Sequence, residues 1–352
     1  MQLQFNSTYF IIFSLISFIT TFLTAKYSKF FFSGTLLDID FLKPQAFHKQ
    51  PIARIGGLAI LTLFALFVLL YFFISDIFLK DYFTISLLLF FLGFLDDIKI
   101  KINPNFRLIF MLLLLVFCIN TFSIQITKSG LEFLNIWLEN NIFQICFVLL
   151  CFLFIINGAN LIDGFNGLLA LHFLIITSIF LIINLSNQNE NISIILSAQI
   201  VIVLSFLLFN FPKAKIFLGD SGSYLLGSLI ALNTIKTYEL NTQISPFFFA
   251  GVLFYLFYEV LFSFIRKVKI KKSPLKPDKN HLHMMLYSWL SSSKKIKNSN
   301  YLTSLLINSC YLFLQIPLFY FQNNALVSRY WFFLSIALYT ITYFRLYSFS
   351  KK

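Results

Sequence analysis

Long apolar segments constrain the fold of this chain of 352 residues more than any other feature. A bilayer-spanning helix needs roughly 17 to 25 mostly apolar residues, and most of the segments approach that length. Only 12% of the residues are charged, against about 25% in ordinary soluble domains. The sequence therefore predicts an all-α, polytopic integral membrane protein that forms a single transmembrane domain over residues 1–352. Eleven segments are apparent: 9–25, 58–74, 82–95, 108–122, 142–156, 168–185, 192–209, 224–235, 247–265, 302–321 and 330–347.

The third, fourth, fifth and eighth segments are short, so ten spans remain an alternative to eleven. Lys and Arg in short loops tend to stay on the cytoplasmic side of a membrane. With the N-terminus outside, all but four of the 27 basic residues fall on the cytoplasmic side; the four are Lys80, Lys128, Lys236 and Arg329. Ten spans would move the C-terminal tail to the other side, so the charge pattern favours eleven.

The formal net charge of +13 follows from this asymmetry, because a basic cytoplasmic surface faces anionic membrane lipids. No nucleic acid partner is needed to explain it. The longest polar stretch is a basic cytoplasmic loop at about 266–300. It is too short to form a separate soluble domain.

Polar clusters stand at the ends of several apolar segments, and the predicted topology puts all of them on the cytoplasmic side. Ionisable groups at the edge of the hydrocarbon region are costly unless they line a water-filled site or bind a partner. The clusters therefore predict a catalytic centre at this face. They comprise Asp96 and Asp97; Asn157, Asn160 and Asp163; Gly219 and Asp220; and His281 and His283.

The acidic residues favour a divalent metal. Asp96 and Asp97 are adjacent carboxylates that repel each other unless a cation lies beside them. Mg²⁺ accepts one or two carboxylates together with substrate phosphates, and Mn²⁺ is a second option. Asp220 is predicted to precede a helix whose N–H groups favour phosphate. The alternatives are a solvated helix end for the acidic pair and a simple N-cap for Asp220.

Two further clusters suggest substrate binding. In a helix, Asn157, Asn160 and Asp163 share one face, although a polar helix end followed by a turn would look the same. His281 and His283 follow a cationic run, and imidazoles with lysines suit a diphosphate. Lys49 and Arg54 precede two glycines at the second segment, but the positive-inside bias explains these charges equally well.

Five motifs, taken in order, resemble the polyprenyl-phosphate N-acetylhexosamine-1-phosphate transferases: HKQPIARIGG, FLDDIK, NGANLIDGFNGL, FLGDSGS and PDKNHLH. The resemblance covers roughly residues 38–290. It implies a bacterial plasma-membrane enzyme that requires Mg²⁺. In its reaction, undecaprenyl phosphate attacks the β-phosphorus of a UDP-N-acetylhexosamine and expels UMP.

The resemblance also implies roles for the motif residues. Asp96 and Asp97 would activate the lipid phosphate or organise the metal, and Asp220 would bind the metal. The substrate-binding candidates are Asn157, Asn160, Asp163, Asn166, His281, His283, Lys49 and Arg54. The resemblance leaves a homodimer open.

The chain departs from the family pattern at three positions. Asn166 stands where many members have Asp, Met284 where a further His is common, and Ala53 where Pro is usual. The spacing His281-Leu282-His283 is similar to the branch that initiates O-antigen, common antigen or teichoic acid glycans, which favours UDP-GlcNAc as the donor. The alternatives are the phospho-N-acetylmuramoyl-pentapeptide transferase of peptidoglycan synthesis and a membrane transporter. A transporter is disfavoured because its binding site would lie near the bilayer midplane.

Overall fold

The computed structural model describes residues 7–39, 50–100, 102–274, 278–292, 296 and 298–350. Helices make up most of this part of the chain, and a short 3₁₀ helix, Phe31–Gly34, follows the first of them. The α-helices are α1 Ser7–Lys26, α2 Gly56–Ser75, α3 Lys80–Asp97, α4 Pro104–Thr121, α5 Glu132–Leu138, α6 Asn141–Ile162, α7 Leu168–Ser186, α8 Glu190–Asn210, α9 Gly219–Leu240, α10 Pro246–Val252, α11 Phe254–Lys269, α12 Leu282–Ser292, α13 Ser299–Tyr320 and α14 Ala325–Ser350.

Among the described helices, eight are long and apolar enough to cross a membrane, or nine if the bent pair α10 and α11 is one span. The prediction of a helical, multi-pass membrane protein is confirmed. The count of about eleven spans and the orientation stay predictions. Two of the eleven predicted segments correspond to α3 and α9, which fall outside this set.

Helix α9 lies at the centre of the bundle, where it packs against α2, α3, α6 and α7. Most of its residues are buried, among them Ser228 and Asn233. Because neighbouring helices surround α9, its polar side chains meet protein partners instead of lipid. This position accounts for a long helix of low apolar content inside a membrane protein.

One feature differs from the all-α expectation and two from the predicted segments. A small sheet joins β1 Leu37–Asp38 antiparallel to β2 Ile52–Arg54, and β2 parallel to β3 Ile216–Phe217. The predicted ninth segment breaks near Leu253, where α10 and α11 meet at a bend of 70°. The predicted basic loop holds the end of α11 and all of α12.

The sheet and one close helix contact position the candidate site. The pairing of Arg54 with Phe217 brings the start of α2 next to the start of α9. A side chain at Gly93 would come within 2.5 Å of the carbonyl oxygen of Asp220. Only glycine therefore allows the end of α3 to approach the start of α9 this closely.

Candidate active site

A cavity of about 1220 Å³ opens at the end of the bundle where the predicted polar clusters meet. The C-terminal ends of α6 and α11 border it, as do the N-terminal ends of α4, α9 and α13. Its polar or charged lining includes Asp38, Arg54, Arg107, Asn157, Asn160, Asp163, Asn166, Lys213, Asp220, Lys267, His281 and Asn300. The structure thus brings together residues that are up to 262 positions apart in the chain.

Four of the predicted site residues do not appear in this lining. Lys49 lies outside the described residues. Asp96, Asp97 and His283 are not among the described residues that contact the cavity. Asp96 and Asp97 nevertheless bond to residues that do line the cavity, so both carboxylates help to position its wall.

Asp97 caps helix α9 from the end of α3. Its carboxylate accepts hydrogen bonds from the backbone N–H of Asp220 at 3.0 Å and of Ser221 at 2.9 Å, and from the Ser221 hydroxyl at 2.6 Å. Gly219, with φ of +80°, leaves room for it, because a Cβ there would lie 2.6 Å from Asp97 Oδ2. Helix α9 begins at Gly219, so Asp220 lies in its first turn and does not precede it. Asp97 already occupies the N–H groups of Asp220 and Ser221, and the predicted phosphate contact at this helix start stays a prediction.

Asp96 pairs instead with Arg107, on the first turn of α4. The guanidinium of Arg107 also lies 3.7 Å from Asp220 Oδ2 and 5.9 Å from the ring centre of Tyr224. This arrangement places a positive charge between two acidic side chains. Arg107 can therefore offset their mutual repulsion and still face the cavity.

Arg54 bridges the sheet and the acidic cluster. Its Nε and NH2 atoms donate to Asp38 Oδ2 at 3.1 and 2.8 Å, and its NH1 lies 3.7 Å from Asp97 Oδ1. Burial works to lower the pKa of Arg54, but Asp220, Asp38 and Asp97 together raise it. The guanidinium is therefore charged at any physiological pH.

The three polar residues at the end of α6 share the cavity, as their three-residue spacing predicts. Asn160 donates to Asp220 Oδ1 at 3.2 Å and to the Ser223 hydroxyl at 2.9 Å. Asp163 follows the helix as its C-cap. Loss of hydration and the nearby Asp220 raise the pKa of Asp163 to about 8.

Asn166 joins three separate segments at the rim of the cavity. Its backbone N–H donates to Asn300 Oδ1 at 3.0 Å, and its side-chain amide donates to the Pro212 carbonyl at 2.9 Å. A carboxylate in this position could not donate to that carbonyl. The departure from Asp at this position thus has a direct structural consequence.

His281 lies between two carboxylates. Its Nδ1 is 3.0 Å from Glu259 Oε1, and its Nε2 is 3.1 Å from Asp278 Oδ1. Burial works to lower the pKa of His281, but Asp278 and Glu259 raise it overall. Burial works to raise the pKa of Asp278, but hydrogen bonds from His281 and Arg266 hold it well below its usual range.

His283 is fully buried behind the cavity wall. It stacks on His281 with ring centres 5.6 Å apart and packs against Phe165 at 5.8 Å. Neither of its ring nitrogens has a hydrogen-bond partner among the described residues, and burial lowers its pKa to about 3. The predicted contact with a diphosphate stays a prediction.

Comparison with known proteins identifies the family. The sequence pattern of glycosyl transferase family 4 matches residues 79–238. An undecaprenyl-phosphate alpha-N-acetylglucosaminyl 1-phosphate transferase of Thermotoga maritima is 29% identical over 236 residues, which are 67% of this chain and 68% of that protein. A phospho-N-acetylmuramoyl-pentapeptide-transferase of Dictyoglomus turgidum is 31% identical over 228 residues, covering 61% and 71%. The chain belongs to the polyprenyl-phosphate N-acetylhexosamine-1-phosphate transferase family.

A further relative of this transferase is a probable undecaprenyl-phosphate N-acetylglucosaminyl 1-phosphate transferase of Bacillus subtilis. It is 29% identical over 253 residues, which are 69% of this chain and 67% of that protein. The matched family region, 79–238, contains the acidic pair, the asparagine cluster and Asp220. It ends before the histidine segment.

The side chains that could donate to a metal suit Mg²⁺ better than they suit a metal held only by protein ligands. Among the described residues, no three His, Cys, Asp or Glu side chains are grouped so that they could hold a metal ion. Mg²⁺ does not need such a group, because it keeps several waters and takes one or two carboxylates plus substrate phosphates. Asp220 is the best placed of the acidic residues, since it lines the cavity with its side chain 32% exposed.

Several residues that line the site were not predicted from the sequence. Asp38, Lys213 and Lys267 line the cavity without having been proposed as site residues, and Arg107 was interpreted only as a cytoplasmic charge. A signal for Arg107 exists: it lies in the first turn of α4, where a cation is unfavourable because of the helix dipole. A cation in such a place suggests an acidic partner nearby.

Proposed function

We propose that this protein transfers N-acetylhexosamine 1-phosphate from a UDP-sugar to undecaprenyl phosphate. The donor that we propose first is UDP-GlcNAc. UMP is released, and the lipid-diphosphate sugar that forms would initiate a cell-surface glycan. The observation that carries the proposal is the single cavity in which Asp220 lies among cationic and amide side chains. The names of the Thermotoga maritima and Bacillus subtilis relatives support the same choice.

The cavity has an apolar wall that suits a lipid acceptor. This wall comes from α4, α6 and α11 and consists of Leu108, Leu150, Leu153, Phe154, Val260 and Phe264. Leu150 and Phe264 are 50% and 52% exposed, so the wall continues onto the outer surface of the bundle. A prenyl chain in the bilayer could therefore lie along it while its phosphate points to the polar wall.

The polar wall suits a phosphoryl transfer. An oxygen of the lipid phosphate would attack the β-phosphorus of the UDP-sugar, and the bond from that phosphorus to the bridging oxygen of UMP would break. Such a transfer needs alignment and neutralised charge more than covalent help. Arg54, Arg107, Lys213 and Lys267 supply positive charge at the cavity.

The two adjacent carboxylates, Asp96 and Asp97, would have different roles. Asp97 holds the start of α9 and thereby fixes Asp220, which supports a role in organising the metal. Asp96 is the other carboxylate in this pair, and Arg107 orients it. We propose Asp163, Asn157 and Asn160 for the nucleotide-sugar side of the cavity, and His281 for the wall that faces the phosphates.

We propose Mg²⁺ as the metal, with Mn²⁺ as a substitute, and Asp220 as its main protein ligand. Bound there, the metal would neutralise negative charge on the phosphates and polarise the phosphoryl group. The protein residues around it would hold Asp220 in place through Asp97 and Asn160.

We further propose that about eleven helices span a bacterial plasma membrane and that the cavity faces the cytoplasm. The basic residues near the cavity support this orientation, because positive charge accumulates on the cytoplasmic side. Helices α10 and α11 count as one span with a bend. Helix α9 counts as a span because neighbouring helices surround its polar groups.

The direct test is UMP release by the purified protein with undecaprenyl phosphate, Mg²⁺ and a panel of UDP-sugars. We expect release with UDP-GlcNAc or a related UDP-N-acetylhexosamine, and only when the lipid phosphate is present. A protein that stays folded and releases no UMP with any donor would contradict the proposal.

The second candidate function is transfer of phospho-N-acetylmuramoyl-pentapeptide. The observation in its favour is the 31% identity to the Dictyoglomus turgidum protein. Competition between UDP-GlcNAc and UDP-N-acetylmuramoyl-pentapeptide in the same assay separates the two. Turnover of the pentapeptide donor alone would establish the second candidate.

A further inference from the structure

Glu259 is a buried carboxylate to which none of the motifs assigns a role. It lies in the middle of α11 with only 1% of its surface exposed. Burying a carboxylate costs free energy unless hydrogen bonds and opposite charge compensate for it. Its partners therefore indicate what it does.

Glu259 joins the histidine segment to the last helix. One carboxylate oxygen lies 3.0 Å from His281 Nδ1, and the other accepts the Tyr339 hydroxyl of α14 at 2.5 Å. The backbone N–H of Leu282 is 3.4 Å from the first oxygen. Both oxygens are thus used, and three separate parts of the chain meet at this one side chain.

A second carboxylate completes the arrangement. Asp278 contacts His281 Nε2 at 3.1 Å and receives Arg266 NH1 at 2.6 Å. Arg266 and Glu259 are seven residues apart on α11, which places them on the same face, two turns apart. The histidine segment is therefore attached to α11 at two points.

The protonation state of His281 follows from its neighbours. A neutral imidazole donates from one nitrogen only, and a carboxylate lies at each nitrogen of His281, so both nitrogens must donate. His281 is then an imidazolium that lines the cavity.

We propose that Glu259 is a positioning residue for the transfer reaction: it keeps His281 protonated and fixed in the cavity wall, and Tyr339 ties this pair to α14. The proposal rests on the proposed function, because the charge of His281 affects turnover only if the cavity binds phosphates. Glu259 itself touches no substrate.

The pH dependence of this arrangement follows from the groups around His281. Among the described residues, the charged and titratable groups that contact His281 or its two carboxylates are Glu259 and Arg266 of α11, Asp278 of the loop, His283 of α12 and Tyr339 of α14. Tyr343 of α14 donates to the nearby Asn280 carbonyl. Because the folded-state pKa of His281 is raised, its contribution to stability is complete below the unfolded pKa of about 6.5. That contribution is lost as the pH rises through the folded pKa.

The test uses Glu259→Gln, which keeps the shape of the side chain and removes its charge. We expect the alkaline limb of kcat/KM for UMP release to move to lower pH by about one to two units, as for one lost hydrogen bond between charged groups. The Tm difference from the wild type should be largest near pH 6 and shrink towards pH 9. The matched control is Glu239→Gln at the far end of α9, where Glu239 pairs with Lys236 at 3.2 Å.

Several outcomes decide the matter. A variant with lower activity and an unchanged alkaline limb, or with the same Tm difference at every pH, would overturn the positioning role. If Glu259→Gln does not accumulate, Glu259→Asp, which keeps the charge but shortens the reach to His281, should show a smaller shift in the same direction, and no shift there would overturn the proposal. If the wild type releases no UMP, the proposed function fails, and the pH dependence of Tm alone decides the role of Glu259.

Discussion

Adjacent or nearby residues of the same type have different roles in this site. Asp97 is buried and caps α9, whereas its neighbour Asp96 pairs with Arg107. His281 is held between two carboxylates, whereas His283 has no hydrogen-bond partner among the described residues. Residue type and spacing identify such groups, but the contacts of each side chain determine its chemistry.

The first prediction concerns the metal ligand Asp220. Asp220→Asn should lower turnover by orders of magnitude, because an amide is a poor ligand for Mg²⁺ and leaves the substrate phosphates unscreened. EDTA should have the same effect on the wild type. UMP release measures both effects, and Asp81→Asn, at the other end of α3, is the control. Full activity in EDTA or in Asp220→Asn would refute the metal assignment.

The second prediction concerns His283. Sequence analysis predicts that it contacts the donor diphosphate, so His283→Ala should raise KM for the UDP-sugar roughly tenfold or more, as for one lost hydrogen bond to a charged group. KM for the lipid phosphate should stay unchanged. His172→Ala, which removes another fully buried histidine, controls for loss of packing. A defect limited to the lipid substrate would show that the assignment is wrong.

Hydrogen bonds between neighbouring segments hold the rim of the cavity together. Asn166 follows α6 and holds both the segment after α8, at Pro212, and the start of α13, at Asn300. A ring contact between Phe211 and Tyr301, with centres 5.9 Å apart, joins the last two segments as well. A substitution here should alter how the rim receives a donor.

The substitution Asn166→Asp tests this connection. The carboxylate would lose the hydrogen bond to Pro212 and face its carbonyl oxygen, so relative kcat/KM between UDP-sugar donors should change more than the metal dependence does. Asn187→Asp, beyond the other end of α7, is the matched control. Unchanged donor preference would refute the role of Asn166.

At the scale of the whole molecule, the polar clusters converge on one end of the helical bundle, where the cavity lies. The central helix α9 carries Asp220 at this end and the Lys236–Glu239 pair near the other. The proposed orientation places the first end in the cytoplasm.

Cysteine labelling tests this orientation. Lys213 and Lys128 are both exposed, and the proposed topology puts them on opposite sides. After removal of the four native cysteines, Lys128→Cys should react with a membrane-impermeant maleimide on intact cells. Lys213→Cys should react only after permeabilisation. The reverse pattern would show an inverted orientation.

Much of the architecture could be predicted from the sequence because the signals are local. Apolar segments mark helices, and polar residues at their ends mark a site, as at Asn157, Asn160 and Asp163, whose helical spacing is enough to place them on one face. The motifs also identified the family. The break near Leu253 was not apparent, because the apolar pattern runs through it without interruption.

The amino-acid pattern alone was enough to predict a helical membrane protein with its polar clusters at segment ends, since hydrophobicity and charge act through neighbouring residues. The tertiary structure was needed to show that Asp97 caps a helix 123 residues away and that Glu259 bonds to both His281 and Tyr339. Such contacts depend on which helices pack together. The sequence shows that a carboxylate or an imidazole is present, but it does not show which partner that side chain will have once it is buried.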